Sequence, residues 1–186
     1  MYKSLIDIIN LKVGGNMKNF EHIKYTYKHR KIVMLLAEKY FKDNQELLEQ
    51  VRVHDLDKMF MYLFYNKKDA SNIHRDKTPH HENDIEKTGL DYIEMVLDWE
   101  SARYTKPDKP LNAYDTLVNY YPQMTDVILP ILEQMGIAAS GLEMDQQILE
   151  KAKELDNVSE EDVVSELVNG LELVTGVEIK QKVKKA

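Results

Sequence analysis

Residues 19–42, NFEHIKYTYKHRKIVMLLAEKYFK, decide the fold class. Ile23, Tyr27, Ile32, Val33, Leu36, Ala37 and Tyr40 recur at helical spacing, which gives one apolar face with no glycine or proline to interrupt it. The same period returns over 89–105 through Leu90, Ile93, Val96, Leu97 and Trp99. Between these two, a helix is expected over about 45–65, then a polar, loop-like stretch over 66–80 that includes Pro79. Helices are expected again over 110–121 and 123–135, separated by Pro122. Pro130 would kink the second of them or sit in its first turn, and Gly136 would stop it. A short amphipathic segment at 2–12 would end at Gly14-Gly15-Asn16. The one short run that alternates like a strand is Val174–Ile179. These patterns predict an all-α protein.

Composition narrows the chemistry. The 186 residues include no cysteine, so disulfides, thiolate zinc sites, iron–sulfur clusters and cysteine nucleophiles are excluded. Any metal must be held by histidine and carboxylate. The net charge of −7, from 32 acids and 25 bases, argues against a nucleic-acid backbone as the main partner. No stretch approaches the roughly 18 apolar residues of a membrane span, and no secretion signal is evident, so a cytoplasmic protein without a membrane partner is expected.

The charge is uneven. Residues 137–179 hold eleven acids against Lys151 and Lys153, and the chain ends in a lysine-rich stretch, Lys180–Lys185. Acidic helices are expected at about 141–156 and 159–173, the second starting at Ser159 ahead of Glu160, Glu161 and Asp162. The expected organisation is an N-terminal segment at 1–17, a helical domain at 18–136 and an acidic helical appendage at 137–186, which offers surfaces for a homo-oligomer. Met17, after Gly14-Gly15-Asn16, is an alternative start.

Five of the six histidines lie between His29 and His81. His54-Asp55 alone is a weak signal. It strengthens beside His29, upstream, and Asp98 in the 89–105 helix. Three packed helices could bring together two imidazoles and two carboxylates, a set that suits a divalent ion such as Mn, Fe, Zn, Co, Ni or Mg. His22 competes with His29 for the first position. His74, His80 and His81 form a separate group, as second-metal ligands, substrate contacts or part of an active-site lid. Lys58 could hold a phosphate. Glu94, one turn before Asp98, could orient a ligand. Arg75, Lys77 and Arg103 are further candidates for phosphate, and Trp99 is expected in the core.

The order H…HD…D on a helical chain resembles the HD-domain superfamily of metal-dependent phosphohydrolases. His54-Asp-Leu-Asp-Lys58 is similar to the HDxxK form, which often accompanies a two-metal site in HD-GYP phosphodiesterases and in the inositol oxygenase type. A closer likeness is to a small uncharacterised HD-like family of bacteria and phages. Its members read roughly HDxSKL, HYxxNxHHPEH and LxDxIEMxxDWxAA. Here the blocks are His54-Asp-Leu-Asp-Lys58-Met59, His74-Arg-Asp-Lys-Thr-Pro-His80-His81-Glu82 and Leu90-Asp-Tyr-Ile-Glu94-Met-Val-Leu-Asp98-Trp99-Glu-Ser-Ala102. The likeness covers about residues 18–136. It departs at Asp57, where serine is usual, at Asn83, and in the short Lys58–His74 interval. It favours His29 over His22, since Val33 and Ala37 match the family's first helix. It implies one metal, with a second position open, and Asp55 and Lys58 as catalytic residues. It also implies hydrolysis of a phosphomonoester or phosphodiester, with a nucleotide expected. The alternatives are a di-iron oxygenase and a non-catalytic HD module that binds a nucleotide or a partner.

Overall fold

A computed structural model describes residues 19–106 and 111–175. The segments expected at 2–12 and over Lys180–Lys185, and most of the Val174–Ile179 run, lie outside the described residues. Within them the fold is all helical. Its α-helices are α1 (Phe20–Phe41), α2 (Gln45–Val51), α3 (Leu56–Met61), α4 (Lys67–Lys77), α5 (Gly89–Thr105), α6 (Ala113–Tyr120), α7 (Thr125–Met135), α8 (Gln146–Leu155) and α9 (Glu160–Thr175). A 3₁₀ turn at Pro122–Met124 leads into α7. No described helix is long and apolar enough to cross a membrane.

The central helix is α1, which packs on α2, α3, α5, α8 and α9. It serves two apolar clusters. Its C-terminal half, with Ile32, Val33, Leu36 and Ala37, joins Leu47 and Val51 of α2, Met95 and Leu97 of α5, and residues of α6–α8. Its Ile23 joins Leu56 and Met59 of α3, Ala70 of α4, and Val163, Leu167 and Leu171 of α9. The chain thus leaves one cluster at Val51 and enters the other at Leu56, and His54 and Asp55 lie in the crossing. Ile148 and Ala152 of α8 belong to the first cluster, so both acidic helices bury apolar faces against the rest of the protein.

Two elements differ from expectation. The helix expected over 45–65 is broken between α2 and α3. Asp55 there has φ 54°, the left-handed region, and is the one non-glycine residue with positive φ among the described residues. Aspartate tolerates that region better than most side chains do, and the apolar period runs through the break. Residues 66–80, expected as a loop, contain α4. Asn66 caps it by accepting from the Asp69 N–H at 3.0 Å. The helix is polar because it buries little beyond Ala70 and His74.

The other ends follow their sequence signals. Thr88 and Asp91 form a reciprocal capping box at the start of α5. Ser159 and Asp162 do the same for α9, with the Asp162 N–H donating to Ser159 Oγ at 3.1 Å. Pro130 lies inside α7 rather than in its first turn, and Gly136 ends that helix with φ 70°.

Candidate metal centre

His29 sits mid-way along α1, His54 and Asp55 at the α2–α3 break, His74 on α4, His80 and His81 on the following loop, and Glu94 and Asp98 on α5. Their donor atoms form three overlapping groups: His29, His54 and Asp98; Asp55, His74, His80 and His81; and His54, His80 and Glu94. Within each group the donor atoms lie within 4.8 Å of one another. His54, Asp55, His74, His80 and Glu94 are buried. Side-chain exposure is 18% at His81 and 19% at both Lys58 and Asp98, which makes this the open side of the cluster.

The outward nitrogens are tied. His54 Nδ1 meets Glu94 Oε1 at 2.7 Å, and His80 Nδ1 meets the same oxygen at 3.1 Å. His74 Nδ1 lies 2.9 Å from Asp57 Oδ2. Ser101 donates its hydroxyl to the Asp98 carbonyl at 2.8 Å, so at 2.9 Å from His29 Nδ1 it is placed to accept. An imidazole that donates through Nδ1 presents a lone pair at Nε2. His29, His54, His74 and His80 therefore all turn Nε2 inward, where each offers a lone pair whenever its ring is neutral.

Those inward nitrogens crowd each other and the carboxylates. His29 Nε2 is 3.2 Å from His54 Nε2 and 2.8 Å from Asp98 Oδ1. His74 Nε2 is 2.6 Å from Asp55 Oδ1, yet it lacks hydrogen-bond geometry, and the Nε2 atoms of His74, His80 and His81 are buried without a hydrogen-bond partner. Lone pairs and carboxylate oxygens at such distances repel unless a cation or a proton lies between them. Two nitrogens held about 2.1 Å from one ion stand roughly 3.0–3.4 Å apart, which suits the His29–His54 pair. The residues thus fit a divalent ion of the kind that imidazole and carboxylate bind. His29, His54 and Asp98 make one donor group that could hold an ion, and Asp55, His74, His80 and His81 make another. Asp55 faces both groups: its Oδ2 is 3.9 Å from His29 Nε2, and its Oδ1 is 3.6 Å from His80 Nε2.

Electrostatics point the same way. Burial opposes ionisation of Asp55, but Lys58, His54 and the close His74 and His80 rings hold its carboxyl well below the usual range. Asp98 and Glu94 are likewise depressed against the cost of burial, by His29 and by His54 and His80 respectively. Burial also works against a charged His80, yet the adjacent Asp55 and Glu94 carboxylates lift it to about 10. Burial lowers His81 to about 3 despite the nearby Asp98. The carboxylates thus stay anionic and draw positive charge into a buried site.

The other candidates divide. Lys58 donates to Asp55 Oδ2 at 3.1 Å. Arg75 and Lys77 lie exposed on α4, beside the loop that carries His80 and His81. Asn83, one of the departures noted above, ties that loop to the end of α4 by donating to the Arg75 and Thr78 carbonyls at 2.7 and 2.8 Å. His22 is outside the cluster, with its ring 5.6 Å from that of Tyr62, whereas His29 lies in it. Arg103 does not reach the site. It is buried, donates to Glu100 Oε1 at 3.3 Å and to the Leu142 carbonyl, and so spends its guanidinium in the helical core. Trp99 is half-buried, stacked on Tyr121 at 4.8 Å.

Sequence reasoning did not single out Ser101, Asp57 as a histidine partner, or Gln50, whose amide donates to Glu94 Oε2 at 2.6 Å. Ser101 follows Asp98 by three residues, on the same helical face, and that spacing was available as a signal. No family model matches this sequence, and no curated protein or solved structure matches it either.

Proposed function

We propose that this protein is a metal-dependent phosphohydrolase of the HD type, acting on a phosphomonoester or phosphodiester, with a nucleotide as the leading substrate. The observation that supports this most is the set of four imidazoles with Nδ1 tied outward and Nε2 crowded against Asp55 and Asp98. A bound divalent ion would lower the pKa of a water and polarise a phosphoryl oxygen. Asp55, kept anionic and facing both donor groups, would serve as a ligand rather than as a proton store. Glu94 holds His54 and His80 in one tautomer through a single oxygen and keeps the two ligand groups in register. Lys58 sits on the open side, where its ammonium can meet a phosphoryl oxygen. Substrate would enter past Lys58, His81 and Asp98, the most exposed members of the cluster.

The test is elemental analysis of the purified protein, followed by a phosphate-release screen with nucleotides and a generic phosphodiester. Bound manganese, zinc, cobalt, nickel or magnesium with phosphate release is the expected result. Two irons with oxygen uptake and no phosphate release would replace this reading with an oxygenase. Nucleotide binding without turnover in the metal-loaded protein would make it a binding module.

A further inference from the structure

The acidic C-terminal helix reaches the crossing at His54–Asp55 from behind the metal ligands. Glu166 of α9 accepts from Arg30 Nη2 and from Lys31 Nζ, each at 2.9 Å. Arg30 follows the ligand His29 on α1 and is 2% exposed. Its guanidinium also donates to the Arg52 carbonyl at 2.9 Å and to the His54 carbonyl. Those two carbonyls lie three residues and one residue before Asp55 and its left-handed backbone. One helical turn beyond Glu166, Gly170 packs over Leu56, close enough that a Cβ there would stand 2.6 Å from Leu56 Cδ1. Thus α9 bears on the chain just before and just after Asp55.

A left-handed aspartate is a sparsely populated conformation that the surroundings must hold in place. Arg30 can do this only while its charge is balanced. A buried guanidinium stripped of its carboxylate partner is strongly unfavourable and would turn away to find another. Lys31 shares Glu166 but touches no atom of the crossing; its other contact is the Tyr27 ring, 5.2 Å away.

We infer that Glu166 is a positioning residue of the metal centre: through Arg30 it holds the Arg52 and His54 carbonyls, and with them the backbone from which Asp55 faces both ligand groups. The inference rests on the metal-centre reading. It gives the 137–186 region a part in the chemistry, although its described helices contribute no donor to the cluster.

The test compares wild type, Glu166→Gln and Lys31→Met as metal-free proteins. Each is titrated with Co²⁺ against a competing chelator, with the visible Co²⁺ spectrum and the thermal midpoint also recorded. Glu166→Gln should bind Co²⁺ about 10-fold more weakly, as removal of an outer-shell partner does, with a changed spectrum. Lys31→Met should keep wild-type affinity and spectrum, because it weakens the helix contact but leaves Arg30 paired. Arg30→Lys, which keeps the charge and loses the fork, should follow Glu166→Gln and stands in for it if that variant does not fold. Unaltered Co²⁺ affinity in Glu166→Gln or Arg30→Lys would overturn the inference, as would an equal loss in Lys31→Met. A wild type that takes up no Co²⁺ would overturn the metal-centre reading itself, and this inference with it.

Discussion

The two halves of the histidine cluster are built on different foundations. His29, His54 and Asp98 are set by α1, the end of α2 and α5, which meet in the larger apolar cluster. His74, His80 and His81 come from α4 and the loop after it, and α4 buries little besides Ala70 and His74. Packing sets the helices of the first half, and Glu94, Ser101 and Arg30 orient its side chains and the His54 backbone on that frame. The second depends on polar ties: Asp57 on His74, Glu94 on His80, and Asn83 on the loop. The helices that carry the first donor group are thus anchored in a large apolar cluster, whereas those of the second lean on charge and hydrogen bonding for their placement as well as their orientation.

That comparison is broken most severely at the residue the halves share. Asp55→Asn keeps a side chain that accepts the left-handed backbone and removes the charge. It should empty both positions and lower turnover at least about 10³-fold, since ion-assisted charge stabilisation amounts to several kcal/mol. Retention of a full metal complement, by elemental analysis, would show that Asp55 is not shared.

Splitting the halves comes next. His54→Ala should leave no bound ion. His74→Ala should retain one, at His29, His54 and Asp98. Equal metal contents in the two variants would erase the distinction drawn above.

Glu94→Gln touches both halves through one oxygen. A loss of about 10–100-fold in affinity is expected at each position, the usual consequence of removing an outer carboxylate. A loss at one position alone, in a two-phase titration, would mean that Glu94 does not couple them.

The smallest effect concerns acid stability of the wall behind the first half. Burial opposes the Glu166 charge, but Lys31 and Arg30 hold its carboxyl below the ordinary 4.5. A depressed carboxyl contributes stability that is present above its unfolded pKa and is lost as pH falls through the folded value. Wild type should therefore lose stability below about pH 4.5 more steeply than Glu166→Gln, and the gap between the two should close as pH falls. Parallel acid limbs in denaturant titrations would refute it.

Legibility in the sequence varied for physical reasons. The helices α1 and α5 were readable end to end because each carries an apolar face of several turns. The break at Asp55 was not readable, because Val51, Leu56 and Met59 keep an apolar rhythm across it and no glycine marks the left-handed residue. The polar helix α4 was hidden by its composition, although Asn66 and Asp69 carried a capping signal. Among site residues, His54-Asp55, Asp98 and the loop histidines stood out by type. Arg103 was a weaker candidate, for phosphate, and sequence does not say that Glu100 lies beside it in the interior. The Arg30–Glu166 contact joins residues 136 apart in sequence, and nothing local announces it.

By itself, then, the sequence determined that this protein is helical, that it has no thiolate chemistry, and which imidazoles and carboxylates are available to a cation. Those properties are local or compositional. That five histidines and three carboxylates converge, with His22 and Arg103 left out, was decided only by tertiary structure. Distances between α1, α4 and α5 follow from how two apolar clusters pack on either side of the chain crossing at His54–Asp55.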